Sequence, residues 1–252
     1  MATFVNAIRS EWLKTKSSAA SWLCIVGGFL IPLIYCINFF RTGKSINGET
    51  HPDIWQVYFK QLWMSMSFFL LPMGVMLAAS LIAQVEFRNN TWKQLNATPQ
   101  KYSTIYAAKL SVLLLMTLKF FLYFNIGVIL SAVIPCLVYD HRFPDQAIPW
   151  SHFLELNGYY LLSCIPIVTL QYIISFRIKN FMVPLGIGLG GVVITLIAFK
   201  WRYIYFSPYV YSMLYAREGR ASTNTVIVYS AAYSLLFAVA GYGVYVFQKI
   251  KG

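Results

Sequence analysis

Charge is scarce in this 252-residue chain: only 11% of its residues are charged, where a soluble domain carries about a quarter. Acidic residues are scarcer still, with 8 Asp and Glu against 20 Lys and Arg. So few carboxylates argue against a proton- or sodium-coupled carrier, which usually needs an Asp or Glu in the membrane core. The four cysteines form no C-x-x-C pair and lie in or beside apolar runs, so they read as packing residues rather than redox or metal groups. The three histidines, His51, His141 and His152, are scattered, with no H-E-x-x-H spacing for a metal. No G-x-S-x-G nucleophile elbow occurs. Gly43-Lys44-Ser45 has the tail of a phosphate-binding loop, but Asn38 stands where its first glycine belongs. Catalysis therefore has little to stand on.

What the chain has in abundance is apolar sequence, 58% hydrophobic and 17% aromatic. Several runs reach the ~20 residues that cross a bilayer, so the chain is an integral membrane protein. The net charge of +12 is spread over the connectors, where lipid headgroups and topology account for it without nucleic acid.

The pattern predicts an all-α fold of one transmembrane domain over residues 1–252. Residues 1–18 form an interfacial helix with Phe4, Val5, Ile8, Trp12 and Leu13 on one face; a frayed, positively charged tail fits the same residues. No cleavable signal peptide is expected. Six spans follow at about 19–40, 61–84, 103–138, 152–176, 181–199 and 225–247. Gly27-Gly28 and Pro32 in the first suggest close packing or a bend. The third exceeds one bilayer thickness and must tilt, kink or protrude. Lys109 near its start can snorkel. Lys119, about four turns in, costs on the order of 3 kcal/mol unless it meets water or a partner, which makes it a candidate pathway or subunit contact. Glu155 sits near a boundary and is expected to be solvated. Gly186 and Gly190 form a GxxxG pair that permits close helix approach. Residues 200–224 are too aromatic for a plain loop, and Ser207-Pro208 can start a short hairpin or re-entrant element. The positive charges split almost evenly between the two sides, with a slight excess that favours both termini inside.

One polar, basic island interrupts the apolar sequence between the second and third spans, over 86–109. Asn89, Asn90 and Thr91 can cap a short helix from Trp92, and Thr98-Pro99 should end it. Ser103 or Thr104 can cap the helix that follows. Arg88, Trp92 and Leu95 fall near one face, a shape suited to a groove on another protein. An ordinary cytoplasmic loop with its Trp at the headgroups fits the same pattern.

The run Glu86-Phe87-Arg88-Asn89-Asn90-Thr91-Trp92-Lys93-Gln94-Leu95, then Thr98-Pro99 and residues 102–109, resembles the first cytoplasmic loop of ABC-2-type transporter permeases. It is most similar to the small lantibiotic- and bacitracin-immunity type, and the layout of spans agrees over the whole chain. The resemblance implies an export permease of a bacterial cell membrane, paired with a second, identical or related permease and with cytoplasmic ABC ATPase subunits. It implies a coupling helix over about 89–97 and an interfacial helix over about 3–17. Glu86, Arg88, Asn89, Thr91, Trp92, Lys93, Leu95 and Pro99 would then form the ATPase-coupling set. No cofactor would be bound by the chain itself, with ATP and Mg2+ held in the partner subunit. A self-sufficient secondary carrier and a non-transporting membrane anchor or assembly subunit remain open. Antimicrobial peptides, lipid-linked and small hydrophobic cargoes all suit the aromatic outer segments.

Overall fold

The computed structural model describes residues 2–16, 18–48, 53–88, 101–141, 143–218 and 223–250. Among them every regular element is helical. Helix α1 is Ala2–Lys16 and α2 is Ala19–Thr42. A short 3-10 turn at Ile46–Gly48 leads toward α3, Ile54–Ser65, which continues through a π-helical turn, Met66–Leu70, into α4, Leu71–Arg88. Helix α5 is Tyr102–Pro135, ending in a second π turn at Cys136–Asp140, and α6 is Trp150–Arg177. Helix α7 is Met182–Ile197, α8 is Tyr211–Glu218 and α9 is Thr223–Ile250.

Five of these helical stretches are long and apolar enough to cross a membrane: Ala19–Thr42, Ile54–Phe87, Tyr102–Asp140, Trp150–Arg177 and Asn224–Phe247. The sixth apolar helix, α7, has 16 residues and spans ~24 Å, short of the ~30 Å hydrocarbon core. The second helical stretch starts at Ile54, well before the apolar run near 61. Its extra turns form because Trp55, Tyr58, Phe59 and Leu62 fall on one face and are all buried. The π turn within it directly precedes Pro72, where the missing N–H interrupts the α ladder in any case.

Helix α2 ends at Gly43, whose left-handed backbone (φ 61°) returns its N–H to the Phe39 carbonyl. The broadest helix pairing joins α2 and α5, which run parallel. Gly28 sits against the α5 backbone, where an added Cβ would lie 2.9 Å from Tyr123 Cβ and 3.1 Å from the Phe120 carbonyl. Gly127 on α5 in turn receives Pro32 and Phe29. The first-span glycines therefore do make a close approach. The GxxxG pair does not do so within this chain: nothing stands within 4 Å of a Cβ built on Gly186 or Gly190. Gly188 and Gly191 carry the α7 contacts instead, against Met76 and Gln171 and against the Tyr209 ring.

The interior is aromatic. Trp63 stacks on Tyr160 with ring centroids 4.3 Å apart and planes 7° from parallel, and Phe121 and Phe124 close around it. Helix α8, in the aromatic segment expected to hold a hairpin or re-entrant element, tucks into the helix bundle. Val210, Tyr211, Ser212, Met213 and Leu214 are all buried, and Tyr215 meets Tyr159 and Tyr160 at 5.0 Å. Ser212 Oγ donates to the Ser67 carbonyl at 3.4 Å, inside the π turn of the second helical stretch. Tyr160 lies ten residues into α6, so α8 reaches ~15 Å along that helix.

Candidate functional site

At the end where the 86–109 island lies, four helices meet around one ammonium group. Lys109, in the second turn of α5, is 3% exposed. Its Nζ pairs with Glu86 near the end of α4 and with Glu11 of α1 at 3.4 Å. Lys14, one turn on from Glu11, holds the same carboxylate at 2.7 Å. Among the described residues, two carboxylates and two ammonium groups balance one another in these pairs. The Phe176 ring of α6 covers Lys109 with its centroid 5.6 Å from Nζ. Around it Tyr172 donates to the Tyr106 carbonyl at 3.2 Å, and Tyr106 donates to the Ala238 carbonyl of α9 at 2.9 Å. An added Cβ at Gly241 would lie 2.5 Å from the Tyr106 hydroxyl, so glycine is what lets α9 close on this cluster.

Lys109 therefore does not snorkel. A buried ammonium needs a carboxylate, and here it has two. Sequence reasoning assigned no role to Glu11, which stands 98 residues from its partner. The buried stripe of α1 is Ala7, Glu11 and Thr15, while Phe4, Val5 and Leu13 stay exposed and Ile8 and Trp12 are half-buried. The one local signal was an acidic residue three positions before a lysine in a chain with so few acids.

Of the island, the structure describes Glu86, the helical backbone through Arg88, and the chain again from Lys101. Asn89, Thr91, Trp92, Lys93, Leu95 and Pro99, with the coupling helix over 89–97, lie outside the described residues. The two roots of that loop are nevertheless fixed, because the Glu86–Lys109 pair joins α4 to α5 just outside it. Helix α5 begins one residue before Ser103, with extended Lys101 ahead of it and the Thr104 amide bonded to the Lys101 carbonyl.

Lys119 is seated elsewhere. Its ammonium donates to Ser21 Oγ in the first turn of α2 and lies 5.7 Å from the Tyr123 ring centroid. It pairs with no carboxylate among the described residues. Cys24 meets the Met116 carbonyl and Gly28 the backbone at Phe120 and Phe124, so α5 extends roughly ten residues, ~15 Å, past the start of α2, and α1 packs against it there. Glu155 is exposed and accepts a long bond from Tyr159 at 3.4 Å.

At the opposite end, contacts among the described residues gather on Asp140 and on the Gln146 carbonyl. Ser45 donates to Asp140, Asn47 donates to the same carboxylate at 3.1 Å, and Trp55 Nε1 donates to the Gln146 carbonyl at 2.8 Å. Among the described residues no group of three His, Cys, Asp or Glu could hold a metal ion.

A family model described as ABC-2 family transporter protein matches residues 7–198, about three quarters of the chain. No curated protein and no solved structure matches.

Proposed function

This chain belongs to the ABC-2 family of transporter proteins, as a multi-pass ABC transporter permease subunit, and we propose that it works in an ATP-driven exporter. In this reading the 86–103 loop couples it to a separate cytoplasmic ATPase subunit, which holds ATP and Mg2+. Trp92 and Leu95 supply the apolar contact, with Glu86, Arg88, Asn89, Thr91, Lys93 and Pro99 shaping and flanking it. Both termini face the cytoplasm of a bacterial cell membrane. A second permease, identical or related, completes the pathway, and the resemblance to immunity permeases points to an antimicrobial peptide as cargo.

One observation supports the coupling role above the others: the buried Lys109 cluster clamps both roots of the loop to α1. A rigid-body push on the loop is then carried into α4, α5 and α1 together. The test is co-purification from the native membrane. An ATPase with a P-loop should accompany the wild-type chain, and Trp92→Ala with Leu95→Ala should abolish the association while insertion stays normal. Undiminished co-purification of the double variant removes the coupling assignment. A wild-type preparation with no ATPase favours a self-sufficient carrier.

A further inference from the structure

At the end of the molecule opposite the Lys109 cluster, α2 and α3 part to leave a half-open recess of about 160 Å³. It is lined by Tyr35, Asn38 and Phe39 of α2 and by Val57, Tyr58 and Gln61 of α3, with Ile46 and Ile54 at its edge. A recess of this size holds a ring of several heavy atoms, since cavities near 150 Å³ admit benzene. Asn38 lies one turn from the end of α2, so the recess opens at headgroup level.

Its lining has a definite chemistry. Among the described residues no charged side chain contributes to it. The Tyr58 hydroxyl is engaged by Ser131 at 2.7 Å and the Tyr35 hydroxyl by Ser65 at 3.1 Å, so both tyrosines offer chiefly their rings. Those rings stand at 82° to one another, 6.2 Å apart, and Phe39 flanks Tyr58 at 6.0 Å. The side-chain amides of Asn38 and Gln61 bond to no protein group among the described residues; only their backbone carbonyls accept, from Thr42 and Ser65. Each free amide presents two donors and an acceptor.

We infer that this recess binds the polyol headgroup of a membrane lipid. Adjacent hydroxyls both donate and accept, so a diol can satisfy both faces of an amide, while its C–H edges lie on the aromatic rings. A phosphate inside the recess would find no cation among its described lining residues, and a quaternary ammonium, though suited to the rings, offers the amides nothing. The acyl chains have a continuation in the exposed Ile34 and Ile37 of α2 and Met64 of α3, near the same level or deeper on the two helices. The polyol can be the sugar of a neutral glycolipid or the glycerol of phosphatidylglycerol. Arg41, exposed one turn beyond Asn38, is near enough in sequence to meet the phosphate of the latter.

The inference does not depend on an ATPase, so its test is made on the purified permease alone. Delipidated protein is equilibrated with vesicles holding equal parts of monoglucosyl diacylglycerol, phosphatidylglycerol and phosphatidylcholine, and the lipid that stays bound is quantified by mass spectrometry. One of the two polyol lipids should be retained about tenfold over phosphatidylcholine, the order expected of two hydrogen bonds. Which of them is retained identifies sugar or glycerol. Asn38→Leu with Gln61→Leu should bring retention down to the phosphatidylcholine level. Val57→Trp, which fills the recess and spares both amides, should do the same at an unchanged melting temperature. Equal retention of the three lipids, preference for phosphatidylcholine, or unchanged selectivity in both variants overturns the assignment.

Discussion

Lys109 shows how one buried charge can decide which surfaces meet. With Glu11 and Glu86 on either side it is satisfied; without it, two carboxylates would face one another with little water between them. Lys109→Met should therefore destabilise the protein by about 3 kcal/mol or more, the cost of breaking a buried pair from one side. Adding Glu86→Gln should recover part of that loss, because the remaining repulsion goes. Thermal unfolding in detergent of the two variants checks both signs, and equal melting temperatures for the single and double variants would show that the carboxylates do not feel each other. Lys119 has lighter duties: a hydroxyl partner, an aromatic neighbour and no carboxylate among the described residues. Lys119→Leu should leave unfolding within about 1 kcal/mol, as surface changes do, yet lower export if the residue contacts pathway or partner. Unchanged export would leave it as a snorkelling lysine only.

Helix by helix, what could be read from the sequence was what local pattern encodes. The long apolar runs predicted the spans, and Gly27-Gly28 with Pro32 predicted close packing or a bend, though not that α5 is the helix packed there. Three things were not local. Glu11 meets Lys109 only because α1 packs against α5, and no hydrophobic periodicity in α1 marks that face as buried. The early start of α3 was hidden by polar residues between its aromatic positions. The GxxxG pair makes no close approach among the described residues of this chain, because α7 presents Gly188 and Gly191 to its neighbours and turns Gly186 and Gly190 away. A paired substitution separates these cases. Gly28→Val should cost about 2 kcal/mol through overpacking against α5 backbone. Gly186→Val should be neutral in the isolated chain, and melting curves of the two proteins side by side make the comparison.

At the scale of the whole molecule, the two ends differ in kind. One is a buried ionic cluster wrapped in tyrosines, the other a set of serine, asparagine and tryptophan contacts around Asp140. The orientation we propose puts the ionic end in the cytoplasm. In a variant with all four native cysteines replaced by serine, Lys44→Cys should react with a membrane-impermeant maleimide on intact cells. Lys101→Cys should react only after the cells are opened. The reverse pattern would invert the topology. The seating of Lys119 beside Ser21 carries a last consequence for that end. Taking the first turn of α2 as headgroup level, the start of α5 stands ~15 Å away along its axis, about two Debye lengths at physiological salt. The negative surface potential of the lipids falls to roughly a seventh over that distance. On that footing Lys101, at the head of α5, feels little of the lipid charge, and an anion it attracts comes from solution rather than from the bilayer.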